Sequence, residues 1–560
     1  MRVKIIRFII VSLFIMITIG LIYFQAIRGQ YFYNLSTNNR IRVVPLEGWR
    51  GRILDRNGFV LADNRMTYDV MITPQDVVDI KSLFRFLSEV LGVNQDKIME
   101  TYRRRKYAPF APVVVADDLS REKAMVIEEN KYRFPSLFIQ ENYKRLYPYG
   151  RNSAHVLGYV GQIDLSKIEE VTEYGYSPQA QVGKTGVEEH YDAYLRGQEG
   201  GLQIEVNSRG QQVRLLSIKK PVKGQDITLT IDSRVQQMTM ELLEEKPGAI
   251  VVLDMNNGEI LGMTSSPDFD LNIRTSGKIN SPFLNRAIKG VFPPGSVFKV
   301  LVALAALDSQ KISVSTTFKC VGYYELGQTK FGCTHAHGQE NLIESLVHSC
   351  NIYYYHLGLV LGENIINRYA RLLGLGRLTR VDLPYEKAGL VPGRAQRLAS
   401  SQKRWYTGDT LNLSIGQGDT LVTPLQLARM IATVARNGIE VQPHVLMAID
   451  DIVVNKFSFE RQMPVSPEAF QIVKKGLRAA VTDNEGTAHV LDVPGLYVAG
   501  KTGTAQSQPG KEHHAWFVGY IEGQQKDIAF CVFLEHGGSS HNACLLAKEF
   551  LLRMQEEKML

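Results

Sequence analysis

Three short groups of residues contain the side chains that a serine acyl-transfer reaction requires. The first group is Ser296 and Lys299, which follow a Pro-Pro-Gly turn at the beginning of an apolar run. Three residues make nearly one helical turn, so both side chains are expected on the same face. A serine hydroxyl is a poor nucleophile unless a base accepts its proton, and a lysine held neutral can do so. Ser296 and Lys299 are therefore the candidate nucleophile and base.

The serine–lysine spacing carries little weight alone. It recurs at Ser120, Ser217 and Ser400, and a serine before a helix is often only an N-cap. Two later groups supply the context: Ser349-Cys350-Asn351 before an apolar helical stretch, and Lys501-Thr502-Gly503-Thr504 after a strand-like one. The order S-x-x-K, S-x-N, K-T-G is typical of penicillin-recognising serine acyl-transferases.

A possible metal site lies between the nucleophile and the end of the S-x-N motif. Its candidate ligands are Cys320, Cys333, His337 and Cys350. Three cysteines and one histidine make a complete tetrahedral zinc set, closed to substrate and hence structural. A Cys320–Cys333 disulfide, with Cys350 merely packing, is the alternative in an oxidising compartment, and His335 is a rival ligand. The sequence leaves zinc and disulfide both open.

Composition indicates a large protein of two or more domains. The chain has 560 residues, a formal net charge of +7 and five cysteines. This charge is modest for the size, and no basic stripe with interleaved aromatic residues occurs, which argues against nucleic-acid binding. It suits an anionic membrane or wall surface, and five cysteines are too few for a disulfide scaffold.

The first residues predict a membrane anchor. Basic residues at positions 2, 4 and 7 precede an uncharged apolar stretch over 8–24. A spanning helix needs roughly 20 apolar residues, and no small-x-small cleavage site follows, as a signal peptide would require. We therefore expect an uncleaved single-pass anchor with the basic end inside and residues 30–560 outside the cytoplasm.

The remaining pattern predicts an α+β fold. Residues 1–28 form the cytoplasmic tip and anchor, residues 30–235 a strand-rich platform or pedestal, and residues 245–556 the catalytic domain. Strands occur at both ends of the last segment, with helices packed around and between them. This arrangement predicts a central antiparallel sheet covered by helices.

With its motifs placed, the chain resembles the class B penicillin-binding proteins, especially the elongation type. Further stretches that carry the likeness are 50–58, 285–288, 337–338, 414–418, 423–428 and 501–506. The likeness covers nearly the whole chain. It implies a pedestal domain, penicillin-binding protein dimerisation-type, followed by a transpeptidase domain that cross-links peptidoglycan stem peptides.

The resemblance also implies catalytic roles. Ser296 attacks the carbonyl of the penultimate D-alanine and releases the terminal one. Lys299 acts as general base, its neutral form favoured if Lys501 approaches. Ser349 relays a proton to the leaving amine, and Asn351 holds both Lys299 and the substrate amide.

Substrate binding is implied for the K-T-G strand. Lys501 and Thr502 bind the terminal carboxylate, and Gly503 lets the peptide lie against the strand. The backbone N–H groups of Ser296 and Thr504 form the oxyanion hole. Some family members also have a zinc site beside the S-x-N motif, with carboxylates among its ligands, and the cysteines here would be substitutions at two of those positions. One structural Zn²⁺ is favoured over the disulfide because the disulfide leaves Cys350 and His337 unexplained. The chemistry itself needs no cofactor.

The expected function is a peptidoglycan D,D-transpeptidase of cell-wall elongation and cell shape, in the inner membrane with an extracytoplasmic catalytic domain. The sequence leaves three alternatives: a D,D-carboxypeptidase, a septal cross-linker, and a non-catalytic β-lactam sensor or scaffold. No glycosyltransferase-sized domain precedes residue 221. The resemblance therefore implies a SEDS-type membrane glycosyltransferase partner and elongation-complex proteins.

Overall fold

The computed structural model describes most of the chain. The described residues are 2–32, 41–46, 48–106, 112–162, 181–206, 212–244, 246–273, 282–401, 404–454, 457, 460–523 and 526–560. Lys403, from the Ser400 copy of the serine–lysine spacing, and residue 245, the predicted start of the catalytic domain, lie outside these ranges.

The chain divides into two compact units that do not follow a single cut in the sequence. Unit 1 contains residues 1–51, 64–146 and 196–225, and unit 2 contains residues 52–63, 147–195 and 226–560. The predicted continuous domains, 30–235 and 245–556, therefore stay predictions. Each unit is described below by itself.

Unit 1 begins with an apolar helix. An α-helix over Arg2–Ile22 continues as a π-helical turn over Tyr23–Ile27. Residues Lys4–Ile27 are long and apolar enough to cross a membrane, and none of this stretch is buried against the protein. A helix that is apolar all round and unburied is expected of a membrane span. This segment agrees with the predicted anchor.

The rest of unit 1 is a mixture of strands and helices. One antiparallel sheet has three strands, with Gly200–Val206 between Ile41–Leu46 and Gln212–Lys219. In a second sheet the later part of Val60–Ile72 pairs with Val113–Leu119 and with Leu137–Leu146. The helices are Ile80–Leu91, Gln95–Arg105 and Arg121–Glu129, and a 3₁₀ turn covers Pro74–Asp76.

A five-stranded antiparallel sheet organises unit 2. Its strand order is Ile260–Ser266, Gly248–Asp254, Ile528–Leu534, His514–Glu522 and Tyr497–Ala505. The strand Tyr497–Ala505 carries the K-T-G motif and lies at the edge of the sheet. The sequence-based prediction of an α+β fold with a central antiparallel sheet is confirmed.

Helices cover both faces of this sheet. Side chains alternate along a strand, so Ile250 and Val252 belong to one apolar cluster and Val251 to the other. The first cluster includes residues of the helices Ser233–Leu243 and Ser540–Glu556. The second cluster includes the helices Lys299–Asp308 and Pro424–Ala435, whose side chains are almost entirely buried.

Further helices and strands complete unit 2. The remaining helices are Ala154–Leu157, Gly186–His190, Asp192–Leu195, Leu342–Val347, Asn351–Leu372, Arg394–Ser401, Thr407–Ser414 and Pro467–Thr482, with 3₁₀ turns over Gly295–Phe298 and His489–Leu491. The remaining strands are Ile53–Leu54, Val160–Gln162, Gln181–Gly183, Ile227–Leu229, Phe318–Cys320, Tyr323–Leu326, Thr329–Gly332, Gly338–Glu340, Ile439–Val441, Leu446–Ile449, Ile452–Val453 and Glu460–Gln462.

Candidate active site

Ser296 lies in a tight turn that begins a buried helix. Gly295–Phe298 form a 3₁₀ turn, and the α-helix follows directly over Lys299–Asp308. Gly295 has φ +55°, a left-handed conformation that favours glycine. The Ser296 side chain is half-buried and lines a cleft. The turn therefore presents the serine to solvent while the helix behind it anchors it in the core.

The backbone at Gly416 and the backbone at Gly503 both pack closely against the serine turn. The N–H of Gly295 donates to the carbonyl of Gly416 at 3.0 Å. A Cβ at Gly416 would lie 2.4 Å from the Gly295 carbonyl oxygen, and one at Gly503 would lie 2.9 Å from that of Pro294. Both glycines are therefore required by packing. Gly503 faces the serine turn, whereas the sequence analysis assigns it to the substrate, an assignment that stays a prediction.

The first helical residue, Lys299, is fully buried and contacts the S-x-N motif. Its Nζ atom lies 2.6 Å from the carbonyl oxygen of Ser349 and 3.3 Å from Ser349 Oγ. It lies 2.7 Å from Asn351 Oδ1. The ring centroid of Tyr354 is 5.4 Å from the same nitrogen. The structure thus brings the first two predicted motifs into direct contact.

The backbone at Ser349 has an unusual conformation. Its φ is +56°, which a residue with a Cβ rarely adopts. The segment is fixed on both sides, because Cys350 N–H donates to the Ser345 carbonyl at 3.1 Å and Lys299 donates to the Ser349 carbonyl. Strained conformations persist where the surroundings determine them, often at functional sites.

Burial sets the protonation of the two lysines. It lowers the pKa of Lys299 to about 8, because removal from water penalises the charged form, while Cys333 and Cys350 act in the opposite sense. Burial also lowers the pKa of Lys501, to which the charge of Lys299 adds. From the sequence we expect the neutral form of Lys299 to be favoured if Lys501 approaches. In the structure, burial is the main cause of the lowered pKa of Lys299. A base works best when its pKa is near the working pH.

The K-T-G strand lies beside the serine turn. Lys501 is fully buried, and its Nζ atom lies 3.4 Å from Thr502 Oγ1. Thr502 and Thr504 line the same cleft as Ser296. Thr504 Oγ1 also accepts a hydrogen bond from the N–H of Ser540 at 3.4 Å, where the last helix of unit 2 begins.

The four candidate metal ligands converge. One ligand atom from each of Cys320, Cys333, His337 and Cys350 lies within 4.8 Å of the other three. Nδ1 of His337 lies 3.5 Å from Cys320 Sγ and 3.6 Å from Cys333 Sγ. Tetrahedral zinc, with bonds of about 2.0–2.3 Å, holds its ligand atoms about 3.5–3.8 Å apart. The donor set and its spacing therefore fit a Zn²⁺ ion.

The cysteine chemistry points the same way. All five cysteines of the chain are unpaired. The hydrogen bond between the two thiols lowers the pKa of Cys333 and raises that of Cys350, so it favours the thiolate at Cys333. A thiolate is the form that binds metal. His335, the rival ligand, contributes only its backbone oxygen, 3.4 Å from Cys320 Sγ.

This cysteine–histidine cluster contacts a predicted catalytic residue. The backbone N–H of Asn351 donates to Cys333 Sγ at 3.2 Å. The Asn351 side chain donates to the carbonyl of Gly332 at 3.1 Å and accepts from Lys299. Cys350, a member of the cluster, lies between Ser349 and Asn351. The cluster therefore fixes the loop that carries both S-x-N side chains.

The three motifs line one cleft of about 880 Å³. It contains Ser296, Ser349, Asn351, Thr502 and Thr504. Its other described lining residues are Gly332, Cys333, Thr334, His335, Ala336, His337, His348, Ile415, Gln417, Glu485, Thr487, Gln506, His513 and Ser540.

Several of these lining residues were not predicted from sequence, among them His348, Glu485 and Thr487. His348 Nδ1 lies 2.8 Å from Oε1 of the buried Glu340, and its Nε2 lies 3.5 Å from Glu485 Oε2. Thr487 N–H donates to the carbonyl of Val347 at 3.2 Å. The only sequence signal was the position of His348 directly before Ser349. Glu485 and Thr487 are single polar residues in a turn and gave none.

Family models match both parts of the chain. The model described as penicillin binding protein transpeptidase domain matches residues 248–552. The model described as penicillin-binding protein dimerisation domain matches residues 45–229. The first match alone covers more than half of the 560 residues.

Similar proteins extend over nearly the whole chain. The peptidoglycan D,D-transpeptidase MrdA of Acinetobacter baumannii is 32% identical, over 94% of this chain and 83% of the relative. The Escherichia coli K12 protein of the same name is 30% identical, over 94% of this chain and 89% of its own length.

Solved structures of penicillin-binding proteins are also similar to this chain. A complex of penicillin-binding protein 2 with MreC from Helicobacter pylori matches with a TM-score of 0.82 and 28% identity, over 93% of this chain and 100% of that one. A structure on the coordination of polymerization and crosslinking by a peptidoglycan synthase complex matches with a TM-score of 0.74 and 29% identity, over 98% and 97%. The motif order, the shared cleft and these matches lead to one conclusion: the chain belongs to the penicillin-binding protein transpeptidase family.

Proposed function

We propose that this protein is a peptidoglycan D,D-transpeptidase that cross-links stem peptides during cell-wall elongation, through an acyl-enzyme on Ser296. The observation that supports this most is the position of Lys299. Lys299 follows Ser296 by three residues, and its Nζ atom donates to the Ser349 carbonyl and to Asn351 Oδ1. Ser349 and Asn351 line the same cleft as Ser296. The relatives named peptidoglycan D,D-transpeptidase, which span nearly the whole chain, support the reaction class.

In the first half of the reaction Ser296 Oγ attacks the carbonyl carbon of the penultimate D-alanine. Lys299, held partly neutral by burial, takes the hydroxyl proton. Ser349 Oγ, 3.3 Å from Lys299 Nζ, passes a proton to the leaving D-alanine nitrogen. Asn351 keeps Lys299 in place and binds the substrate amide.

The K-T-G strand binds the carboxylate of the substrate, and this strand and the serine turn together stabilise the oxyanion. Lys501 and Thr502 bind the terminal carboxylate of the donor peptide. Backbone N–H groups of Ser296 and Thr504 stabilise the oxyanion, as donors arranged before the reaction do in other acyl-transfer sites. Gly503 permits the strand to lie against the turn at Pro294, which brings the two segments that carry these donors close together.

Cys320, Cys333, His337 and Cys350 would hold one structural Zn²⁺ ion. With four protein ligands it would have no open position for substrate, so its contribution would be to rigidity. The residues nearest to it act on the reaction through position. Cys333 orients the Asn351 backbone, and Cys350 separates the two S-x-N side chains.

The protein acts at the outer face of the inner membrane. The helix within Lys4–Ile27 is the single-pass anchor, and the basic residues before it stay in the cytoplasm. Stem peptides are the substrate. A SEDS-family glycosyltransferase supplies the glycan strands, and other elongation-complex proteins bind the chain. Relatives whose structures concern MreC and a peptidoglycan synthase complex support this context.

Covalent labelling tests the proposal. Full-length protein in detergent is treated with fluorescent penicillin, digested and mapped by mass spectrometry. We expect one adduct on Ser296 and no labelling of Ser296→Ala, whose far-UV circular dichroism is unchanged. Ser217→Ala, which alters another copy of the same spacing, labels normally. An adduct on any other residue, or none, contradicts the assignment. Product analysis with a stem-peptide donor and an amine acceptor separates transpeptidation from carboxypeptidation.

A further inference from the structure

Transpeptidation needs a second substrate, and the cleft contains one group suited to it. Among the described residues that line the cleft, Glu485 is the only carboxylate. Its side chain is 81% exposed, so a solute can reach it. The other lining side chains are hydroxyls, amides, imidazoles, thiols and apolar groups. The acidic charge of this cleft therefore lies at a single position.

The Glu485 turn is attached to the S-x-N segment. Gly486 N–H donates to the Asp483 carbonyl, and Glu485 N–H donates to Asp483 Oδ1 at 2.9 Å. Thr487 bonds the Val347 carbonyl through both its N–H and its hydroxyl, each at 3.2 Å. Glu485 Oε2 lies 3.5 Å from Nε2 of His348, the residue before Ser349. These contacts keep the carboxylate close to the catalytic serine of the second motif.

In the second half-reaction an amine attacks the acyl-enzyme, and a carboxylate in the cleft can assist the binding of that amine. The acceptor is a primary amine, and amines with a pKa of about 8 to 10 are mostly ammonium ions at neutral pH. A cleft lined by one sign of charge raises the local concentration of counter-ions. The same carboxylate repels the anionic end of a donor peptide, which favours donor binding at Lys501 and Thr502 instead.

We infer that Glu485 binds the ammonium form of the acceptor amine and so favours aminolysis of the acyl-enzyme over hydrolysis. This inference rests on the proposed function. The bound amine loses its extra proton to water, and its nitrogen then attacks the acyl carbon. The new C–N bond forms and the bond from Ser296 Oγ to that carbon breaks. Of the two protons left on the amine nitrogen, one goes to Ser296 Oγ and the other stays on the new amide. Glu485 is thus a specificity residue for the acceptor.

Partitioning of the acyl-enzyme tests this inference. Full-length protein in detergent is supplied with a thioester analogue of an acyl-D-alanyl-D-alanine peptide at pH 7. D-alaninamide, which is largely protonated, serves as the cationic acceptor, and hydroxylamine serves as a neutral one. The ratio of aminolysis to hydrolysis is measured by chromatography for the parent, Glu485→Gln and Glu468→Gln. Glu468 lies at the start of the helix Pro467–Thr482 and does not line the cleft, so it is the matched control.

We expect Glu485→Gln to lower the D-alaninamide ratio about fivefold, as loss of one exposed charge contact implies. The hydroxylamine ratio and both Glu468→Gln ratios should stay at the parent value. Raising the salt concentration should lower the D-alaninamide ratio of the parent but not that of Glu485→Gln.

Equal D-alaninamide ratios in the parent and Glu485→Gln would overturn the acceptor inference and leave the proposed function standing. An equal fall with hydroxylamine would also overturn it, because that would indicate general damage to the site. A parent chain that forms no acyl-enzyme would overturn the proposed function, and the acceptor inference with it.

Discussion

The Nζ atom of Lys299 lies 2.6 Å from the carbonyl oxygen of Ser349, a residue whose backbone is left-handed. Lys299 is proposed as the base that accepts the proton of Ser296. It is also a donor that stabilises an unfavourable backbone at the second motif. A replacement that keeps a donor should disturb only the proposed proton transfer, whereas one without a donor should disturb both tasks.

Lys299→Arg separates charge from proton transfer. Arginine keeps the positive charge and the donors but cannot be deprotonated in a protein. We expect the acylation rate with labelled penicillin to fall by at least about 100-fold, the usual contribution of a general base. Stopped-flow measurement of labelling checks this, with thermal unfolding as the control for folding. A rate within threefold of the parent would mean that Lys299 contributes only its charge.

Acylation should depend on pH through Lys299. The base acts in its neutral form, so the rate rises with pH through a midpoint at about 8 and then levels off. At pH 7 the rate should be roughly a tenth of its plateau value, since one pH unit below the pKa leaves about that neutral fraction. A profile of labelling rate from pH 6 to 9.5 measures it. A flat profile, or one that falls with pH, would contradict this role.

Metal content should follow the cysteine–histidine cluster. We expect close to one zinc per chain in untagged protein by elemental mass spectrometry, and loss of that zinc in Cys333→Ser. Acylation should slow in the same variant, because Asn351 loses the sulfur that its backbone N–H contacts. Cys544→Ser removes a buried cysteine outside the cluster and should keep the zinc. Sub-stoichiometric zinc with a mapped Cys320–Cys333 disulfide would favour the alternative.

Gly416→Ala should impair the site by steric overlap with the serine turn. Its added Cβ would lie 2.4 Å from the Gly295 carbonyl oxygen. Gly418→Ala is the matched control, because it has nearly the same φ (+70° against +69°) but its Cβ would meet only Asn412, at 3.6 Å. Overpacking costs about 1–3 kcal/mol, so Gly416→Ala should unfold at lower temperature than Gly418→Ala and label more slowly. Equal behaviour of the two variants would show that backbone strain alone matters.

Membrane topology can be checked directly. Protease added to the outside of spheroplasts should digest everything after the anchor, and a cytoplasmic marker protein should stay intact. Protection of the chain while a known periplasmic protein is degraded would show the opposite orientation.

Much of the catalytic constellation was readable from sequence because three ordered motifs restrict the fold. Ser296, Lys299, Ser349, Asn351 and Thr502 were predicted from spacing and resemblance. The structure places four of them along one cleft, and the buried Lys299 donates to Ser349 and Asn351. The central antiparallel sheet was predicted for the same reason that it forms, since its strands are short apolar runs at both ends of the domain.

Other features depend on contacts that no local pattern encodes. The sulfur of Cys333 meets the Asn351 N–H only because the loops pack together. Lys299 owes its low pKa first to burial, which no local spacing reveals. Glu485 joins the cleft through a turn bonded to Val347, far away in the chain.

The close packing of Gly295, Gly416 and Gly503 has a consequence for antibiotic resistance. Added side-chain atoms at any of the three would overlap backbone atoms, so mutants that evade β-lactams have little freedom to reshape the serine turn itself. Tolerated changes should instead accumulate at the exposed rim, for example at Gln506 or His513. An inhibitor that draws its affinity from the turn, with few rim contacts, would leave the bacterium fewer routes of escape.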